Sequence, residues 1–205
     1  MDSKSLEQFG DDSVRALAWC ISAPSLMRQV PGLSFLEDDW VEQSLVDTWG
    51  WLRELDRDPR PLHEHLARNR SLKVGFYFES LLAWWLTWRG DYELLAQNLQ
   101  IRDGGRTLGA FDFLTRDASG QAQHWEVAVK FYLRREAGEG WSAWVGPNRR
   151  DRLDLKLDRM RTHQLPLSSR PEAEQALSSL QITEPPEQVA VVKGMFFVHW
   201  ASDSP

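Results

Sequence analysis

Residues 109–133 read GAFDFLTRDASGQAQHWEVAVKFYL. Both halves are rich in large apolar and β-branched side chains, which favour strands. The Ala-Ser-Gly segment at 118–120 has the composition of a tight turn. The stretch therefore predicts two antiparallel strands joined by a hairpin.

Charged side chains interrupt this otherwise apolar hairpin. Successive side chains of a strand point to opposite faces, so Glu126 and Lys130 share one face of the second strand. On the first strand the same alternation predicts Asp112 on one face, with Phe111 and Phe113 together on the other. Burying such charges is costly unless they pair or bind a metal. The residues leave both interpretations open: mutual neutralisation beside a sheet, or a cation site.

The segment before the hairpin predicts a buried helix. Residues 72–89 are apolar on nearly every side of a helical projection. Glu79 is the single acid in this helix, and a lone carboxylate in such surroundings needs a partner. That partner is either an arginine elsewhere in the chain or a site shared with the hairpin. Gly75, one turn earlier on the same face, would let another backbone approach closely.

Around these segments the chain predicts a mixed α/β (α+β) fold. Residues 92–106 read as a further strand with an Asp-Gly-Gly turn, which makes a three-stranded antiparallel meander with the hairpin. A helix over 151–164 follows, and then a Ser-, Pro- and Glu-rich connection with a short helix at 171–181. The apolar run 189–200 predicts a buried strand that returns to the sheet by a crossover.

The N-terminal third predicts a helical flank. Apolar residues recur at helical spacing over 12–21 and 37–57, and acids gather at the start of the second helix. At 205 residues the chain is long enough for one sizeable core and too short for two comfortable ones. We therefore expect a single domain, with the flank over 1–60 and the core over 70–200.

Composition excludes several classes of protein. The single cysteine, Cys20, rules out an intramolecular disulfide and suits a reducing compartment. His63 and His65 are two positions apart, which is not the spacing of a zinc-binding helix. The chain has neither a signal-peptide pattern nor a run long enough to span a membrane, so we expect a cytoplasmic protein without membrane association.

Three blocks carry a resemblance to a known superfamily. GAFDFL, HWEVAVKFYL and GPNRRDRLDLKLDRMRTHQL resemble the core of the PD-(D/E)XK phosphodiesterases, and more closely the bacterial domain-of-unknown-function family 1853, which is placed in that superfamily. With the helix before them they cover residues 70–165. The resemblance implies a restriction-endonuclease-like core: a helix, a three-stranded antiparallel meander, a second helix and a fourth strand.

The resemblance also implies a function and a site. Its activity would be metal-dependent hydrolysis of a phosphodiester in nucleic acid, with Glu79, Asp112, Glu126 and Lys130 as the catalytic residues. The three carboxylates would hold Mg²⁺ or Mn²⁺, which prefer oxygen ligands. One feature departs from the superfamily motif, because Ala128 stands where an acid is usual and Glu126 lies four residues before the lysine. The alternative is a nuclease-fold protein without turnover that binds nucleic acid or another protein.

Basic residues concentrate near the predicted site. Lys and Arg outnumber Asp and Glu over 102–161, although the whole chain has a net charge of −6. Four of them cluster near the start of the helix after the hairpin and are candidates for phosphate contacts: Arg149, Arg150, Arg152 and Lys156. A nucleic-acid partner, DNA rather than RNA, would fit this cluster, and an ordinary solvated basic face is the other interpretation.

Overall fold

The computed structural model describes residues 3–68, 71, 73–88, 91–136, 138–148 and 150–199. Within these ranges the α-helices are α1 (Asp12–Ser22), α2 (Asp38–Arg57), α3 (Arg60–Ala67), α4 (Val74–Trp88), α5 (Leu153–Arg159) and α6 (Pro171–Ser179). The strands are β1 (Tyr92–Asp103), β2 (Arg106–Asp117), β3 (Ala122–Arg134), β4 (Trp144–Val145) and β5 (Glu187–Phe197). No helix in the described ranges has both the length and the apolar composition needed to cross a membrane.

The sheet confirms the predicted mixed α+β class and the predicted meander. Strands β1, β2 and β3 pair antiparallel in chain order, and β5 returns to pair parallel with β3. The helices expected at 12–21 and 37–57 are present as α1 and α2. Helix α3 and the two-residue strand β4 were not predicted, since both are short.

The helix predicted over 151–164 is divided in two. Helix α5 ends at Arg159, and a π-helical turn over Met160–Gln164 continues it. The N–H of Leu165 donates to the Met160 carbonyl, five residues back, which is the spacing of a π-turn. A 3₁₀ turn with Pro166 near its start follows. The wider turn matters because it carries Gln164, a residue of the candidate site.

Two layers of side chains cover the sheet. On one face a large cluster joins α1, α2 and α4 to β2, β3 and β5, and it includes Trp85, Phe113 and Trp125. On the other face α5 and the π-turn pack against β3 and β5, with Tyr132 and Met160 buried between them. The predicted helical flank thus contributes directly to the main hydrophobic cluster.

Pairing along β3 is interrupted in its middle. Strand β2 leaves β3 beyond the Phe113–Trp125 pair. Strand β4 joins the same edge only at the Leu133–Val145 pair. Residues 126–132 of β3 therefore pair with β5 alone, and the opposite edge of this part of β3 is open. The open edge is the floor of the candidate site.

Side-chain alternation breaks where the strands separate. The prediction that Phe111 and Phe113 share a face is wrong: Phe113 packs under α4, whereas Phe111 packs with Leu114 on the other face, beside α6. Asn98 lies opposite Asp112 in the β1–β2 register and has φ 51°, a left-handed conformation that asparagine tolerates better than most residues. This distortion of β1 therefore lies opposite the point at which side-chain alternation breaks along β2.

Strand β5 supports β3 at close range. Gly194 pairs with Lys130 and has φ +146°, where side chains are rarely tolerated. A β-carbon at Gly194 would collide with the Lys130 carbonyl. The two backbones can therefore approach as they do only because residue 194 is glycine.

Candidate functional site

A cleft of about 560 Å³ lies at the open edge of β3. The first turns of α4 form one wall, and α5 with the turn before it and the π-turn form the other. All four residues predicted to be catalytic line this cleft: Glu79, Asp112, Glu126 and Lys130. The fold therefore brings one residue of a helix and three residues of two strands to a single concave surface.

Asp112 lies where β2 departs from β3. Its Oδ2 accepts a hydrogen bond of 2.9 Å from the backbone N–H of Val127, which has lost its strand partner on that side. The carboxylate thus replaces a main-chain carbonyl of the ladder. Burial raises the pKa of Asp112, while the bond from Val127 and the charge of Lys156 act in the opposite direction.

Glu126 is the most buried acid of the cleft, with 1% of its surface exposed. Its Oε1 accepts a hydrogen bond from the Gln164 amide and lies 3.4 Å from the Lys156 ammonium. Its Oε2 is buried and accepts no hydrogen bond from a described N–H or hydroxyl donor, while the Glu126 and Asp112 carboxyl groups lie within hydrogen-bonding distance of each other. Burial, and then the negative charge of Asp112, raise the pKa of Glu126 to about 8.

Glu79 faces the same group of charges from α4. Burial and the charge of Asp112 raise its pKa to about 7, and a hydrogen bond from the Asn98 side chain acts against this shift. No salt bridge joins Glu79 to an arginine within the described part of the chain. The arginine pairing considered above is therefore not observed. Gly75 faces open space, so the close backbone approach that a glycine would permit at this position is not found among the described residues.

The lysines have partners other than those the sequence suggested. Lys130 lies 2.5 Å from Oδ2 of Asp151, and the Tyr132 hydroxyl donates to Oδ1 of the same carboxylate at 3.2 Å. Glu126 is instead neutralised by Lys156, which also donates to the Gln164 side-chain oxygen at 3.0 Å. A lysine predicted to contact phosphate is thus part of the carboxylate cluster.

The other basic candidates have separate positions. Arg149 lies outside the described residues. Arg150 is exposed, and its backbone N–H is held by the Asn148 side chain in the turn before α5. Arg152 makes two bonds, of 2.9 and 2.5 Å, to the Asp154 carboxylate, which reduces its capacity to bind a further anion.

Sequence reasoning missed three members of the site: Asn98, Asp151 and Gln164. A lone asparagine inside a strand-like segment is a signal of local distortion, because asparagine is depleted in strands. Asp151 stands between arginines, which suggests a local salt bridge rather than contact with a strand lysine. The π-turn that carries Gln164 has no comparable signature, because the sequence continues the helical pattern through it.

The donor set fits a divalent cation held by two carboxylates. Mg²⁺ commonly takes one or two protein carboxylates and keeps several waters. The unpartnered Oε2 of Glu126 and the adjacent Asp112 carboxylate are oxygen donors of this kind. Within the described ranges, however, no group of three or more His, Cys, Asp or Glu side chains is arranged to hold a metal ion. Glu79 is therefore not placed as a third direct ligand.

The two histidines serve the helical flank. The Nε2 atom of His63 lies 3.0 Å from the Asp11 carboxylate, and His65 Nε2 lies 3.1 Å from the Ser80 carbonyl. Asp11 also caps α1 by accepting hydrogen bonds from two N–H groups of its first turn. The two rings are therefore engaged with different elements of the fold.

Comparison with known proteins identifies the family. No curated protein and no solved structure matches the chain. The family described as "Domain of unknown function (DUF1853)" matches residues 15–205, which is nearly the whole chain. The protein therefore belongs to the DUF1853 family.

Proposed function

We propose that this protein is a metal-dependent nuclease of the PD-(D/E)XK type, with a restriction-endonuclease-like core. The observation that carries the proposal is the meeting of the Asp112 and Glu126 carboxyl groups at the open edge of β3, where one buried Glu126 oxygen accepts no hydrogen bond from a described N–H or hydroxyl donor. Two adjacent buried carboxylates repel each other, and a site that serves only stability would not gather them. The resemblance of the three sequence blocks to that superfamily supports the same conclusion.

Asp112 and Glu126 would hold Mg²⁺ or Mn²⁺, with Glu79 hydrogen-bonded to a water near the ion. The ion, when bound, supplies charge neutralisation at a phosphate oxygen and a more acidic water. Binding of a cation would also lower the pKa values of the two carboxylates, since an opposite charge favours their ionised forms.

The protein's own cations act on the phosphate. Lys130, oriented by Asp151, would donate a hydrogen bond to a phosphate oxygen or to the attacking water. Glu79, whose pKa is raised to about 7, is suited to accept a proton near neutral pH. Lys156 would leave Glu126 when a cation arrives and become available to the substrate.

The proposed substrate is DNA, and the buried Cys20 is compatible with the proposed cytoplasmic location.

Thermal unfolding in the presence of magnesium and manganese tests this function. Wild-type protein should be stabilised by about 2.7 kcal/mol at a hundredfold excess of ion over its Kd. Asp112→Asn should abolish the shift while keeping an acceptor for the Val127 N–H, so that the fold is spared. Asp103→Asn, at the exposed β1–β2 turn, is the matched control and should respond like wild type.

Hydrolysis is measured next on a labelled DNA substrate. Cleavage should require the ion, be lost in Asp112→Asn and persist in Asp103→Asn. The proposal fails if neither ion stabilises the wild type, or if cleavage is unchanged by chelator and by Asp112→Asn.

A second candidate function is a nuclease-fold binding protein without turnover. The specific observation in its favour is Lys156, whose ammonium already lies 3.4 Å from Glu126 and places a positive charge beside this carboxyl without a metal ion. This alternative predicts nucleic-acid or protein binding that is insensitive to chelator and to Asp112→Asn. The same two variants therefore distinguish the alternatives.

A further inference from the structure

A basic wall borders the carboxylate cleft. A second cavity, of about 390 Å³, adjoins the cleft and shares lining residues with it. Its cationic lining residues are Lys130, Arg150, Arg152, Lys156 and Arg159. Three of these are paired with nearby carboxylates, namely Lys130 with Asp151, Arg152 with Asp154 and Lys156 with Glu126. Arg150 and Arg159 are exposed, and neither makes a salt bridge to a described residue, so their charges face the cavity and solvent.

The opposite wall of the cleft is apolar and aromatic. Val74 and Phe76 from the first turns of α4 line it together with Val129 and Phe131 of β3. Phe76 is 41% exposed, and the Lys73 ammonium lies 6.0 Å from the centre of its ring. A single exposed phenyl is ordinary on a protein surface, and it becomes informative where it belongs to a contiguous exposed apolar patch.

The apolar wall continues along the sheet beyond the cleft. Phe131 pairs with Met195, and Leu133 pairs with Phe197, so these four side chains project from one face of β3 and β5. Leu133 is 50% exposed, and Met195 and Phe197 are 47% exposed. The cleft therefore separates a cationic surface from an extended apolar one, with the carboxylates between them.

We propose that the cleft takes single-stranded nucleic acid, with the phosphates along the basic wall and the bases against the apolar wall. This inference rests on the proposed function and names its substrate class. In a duplex the bases are stacked and paired inside, and both rims of a groove present phosphates. A single strand presents phosphates on one side and base faces on the other, which matches the two walls. Stacking on aromatic rings also tolerates any base sequence, because every base has a π-face.

The two walls predict separable contributions to binding. Phe76 contributes by stacking, which is independent of salt to a first approximation. Arg159 contributes by neutralising a phosphate, which releases counterions and is weakened by salt. Neither side chain is a proposed ligand of the cation or a residue of the proposed chemistry. Both are exposed, and their replacement is compatible with folding.

The test is fluorescence anisotropy with a short labelled oligothymidylate and a hairpin duplex of the same length. Chelator is present throughout, so that neither cleavage nor a metal ion contributes. Wild-type protein should bind the single strand at least about tenfold more tightly than the duplex, the range expected when a base stacks on an aromatic side chain. Thermal unfolding of each variant confirms that it is folded.

The variants are Phe76→Ala and Arg159→Gln, with Trp88→Ala and Arg53→Gln as matched controls. Trp88 is an exposed aromatic at the far end of α4, and Arg53 is an exposed arginine of α2. Phe76→Ala should weaken single-strand binding by about tenfold with an unchanged salt slope. Arg159→Gln should weaken it and reduce the slope of log K against log salt by about 0.7. The controls should bind like wild type.

Three results would overturn the inference: duplex binding as tight as single-strand binding, unchanged affinity in Phe76→Ala, or self-association that Phe76→Ala abolishes. The last would identify the apolar wall as an interface between copies of this chain.

Failure of the single-strand proposal is distinct from failure of the proposed function. Ion-dependent cleavage of duplex DNA would retain the nuclease and reject the single strand. Single-strand preference without any ion-dependent stabilisation would retain the single-stranded ligand and reject the metal-dependent nuclease.

Discussion

Two buried charges on neighbouring strands contrast sharply in their surroundings. Lys193 of β5 and Glu126 of β3 each have 1% of their surface exposed. The Lys193 ammonium donates to the carbonyl of Ala23, the C-cap residue that follows α1. The C-terminal end of a helix carries partial negative charge, and α1 has no basic residue in its own last turn. Lys193 therefore has a backbone partner of the favourable sign, although burial lowers the pKa of this lysine to about 8.

Glu126 has the opposite kind of neighbourhood. Strand β2 contributes another carboxylate, Asp112, and one of the Glu126 oxygens accepts no hydrogen bond from a described N–H or hydroxyl donor. Its cation, Lys156, reaches it from a separate helix at 3.4 Å, a long distance for an ion pair. Lys193 is thus a buried charge with a structural partner, whereas Glu126 is a buried charge beside which a ligand would supply the missing partner. Replacing each charge should consequently change stability in opposite directions.

The largest effect should come from Gly194, where β5 meets the backbone of Lys130. Gly194→Ala adds a β-carbon that collides with the Lys130 carbonyl at a φ unfavourable to side chains, and we expect a loss of at least about 4 kcal/mol or a failure to fold. Urea unfolding of the variant measures this loss of unfolding free energy. Gly75→Ala is the control, because a β-carbon there meets nothing within 4 Å, and it should not destabilise the protein. Equal stability of the two variants would refute the close contact of β3 with β5.

A smaller loss should follow from removing the structural charge. Lys193→Ala leaves the Ala23 carbonyl without its donor and opens a cavity, which together should cost about 2–4 kcal/mol of unfolding free energy. Lys193→Met retains most of the buried volume and should recover part of that loss. Calorimetry of the two variants measures the difference. A wild-type stability in Lys193→Ala would show that the buried ammonium does not support α1.

The smallest effect, and the one of opposite sign, should come from neutralising Glu126. The pKa values of Glu126 and Glu79 in the folded state, about 8 and about 7, lie above the ordinary 4.5. The folded state thus retains protons that the unfolded chain has lost, and stability should fall as pH rises from about 5 to 8. Glu126→Gln should reduce this slope and, at pH 8, be more stable than wild type by on the order of 1–3 kcal/mol.

Denaturant unfolding across that pH range, without divalent ions, measures the slope. Glu184→Gln, at an exposed position, is the control and should keep the wild-type slope. An unchanged slope in Glu126→Gln would show that this carboxylate is not the source of the pH dependence.

Local patterns were sufficient for most of the fold. Strand alternation, the Asp-Gly-Gly turn and the apolar run at 189–200 depend on neighbouring residues, and they predicted the meander and the returning strand. They also identified Glu79, Asp112 and Glu126 of the cleft, because acids inside apolar segments are conspicuous. The helix α3 was missed because a helix of eight residues offers too few turns for a periodic pattern.

The partners of the charges could not be predicted in the same way. Lys130 and Glu126 share a strand face, yet Lys130 pairs with Asp151 and Glu126 with Lys156. These pairings depend on how the turn at 146–151 and the π-turn pack on the sheet, and no local rule specifies that packing. The break in alternation at Asp112 likewise lies opposite the left-handed Asn98 on the adjacent strand. A distortion in one strand is invisible in the sequence of its neighbour.

The parallel pairing of β3 with β5 has a consequence for synthesis of the chain. The side chains of Gln123 and Glu187 bond across these strands although they are 64 positions apart. Every charged residue of the cleft precedes β5, so the ribosome delivers all of them before the strand that supports the Lys130 backbone. Contacts of such long range form late in folding. The cleft is therefore completed only after β5 has emerged, so the protein cannot be active before nearly the whole chain has been synthesised.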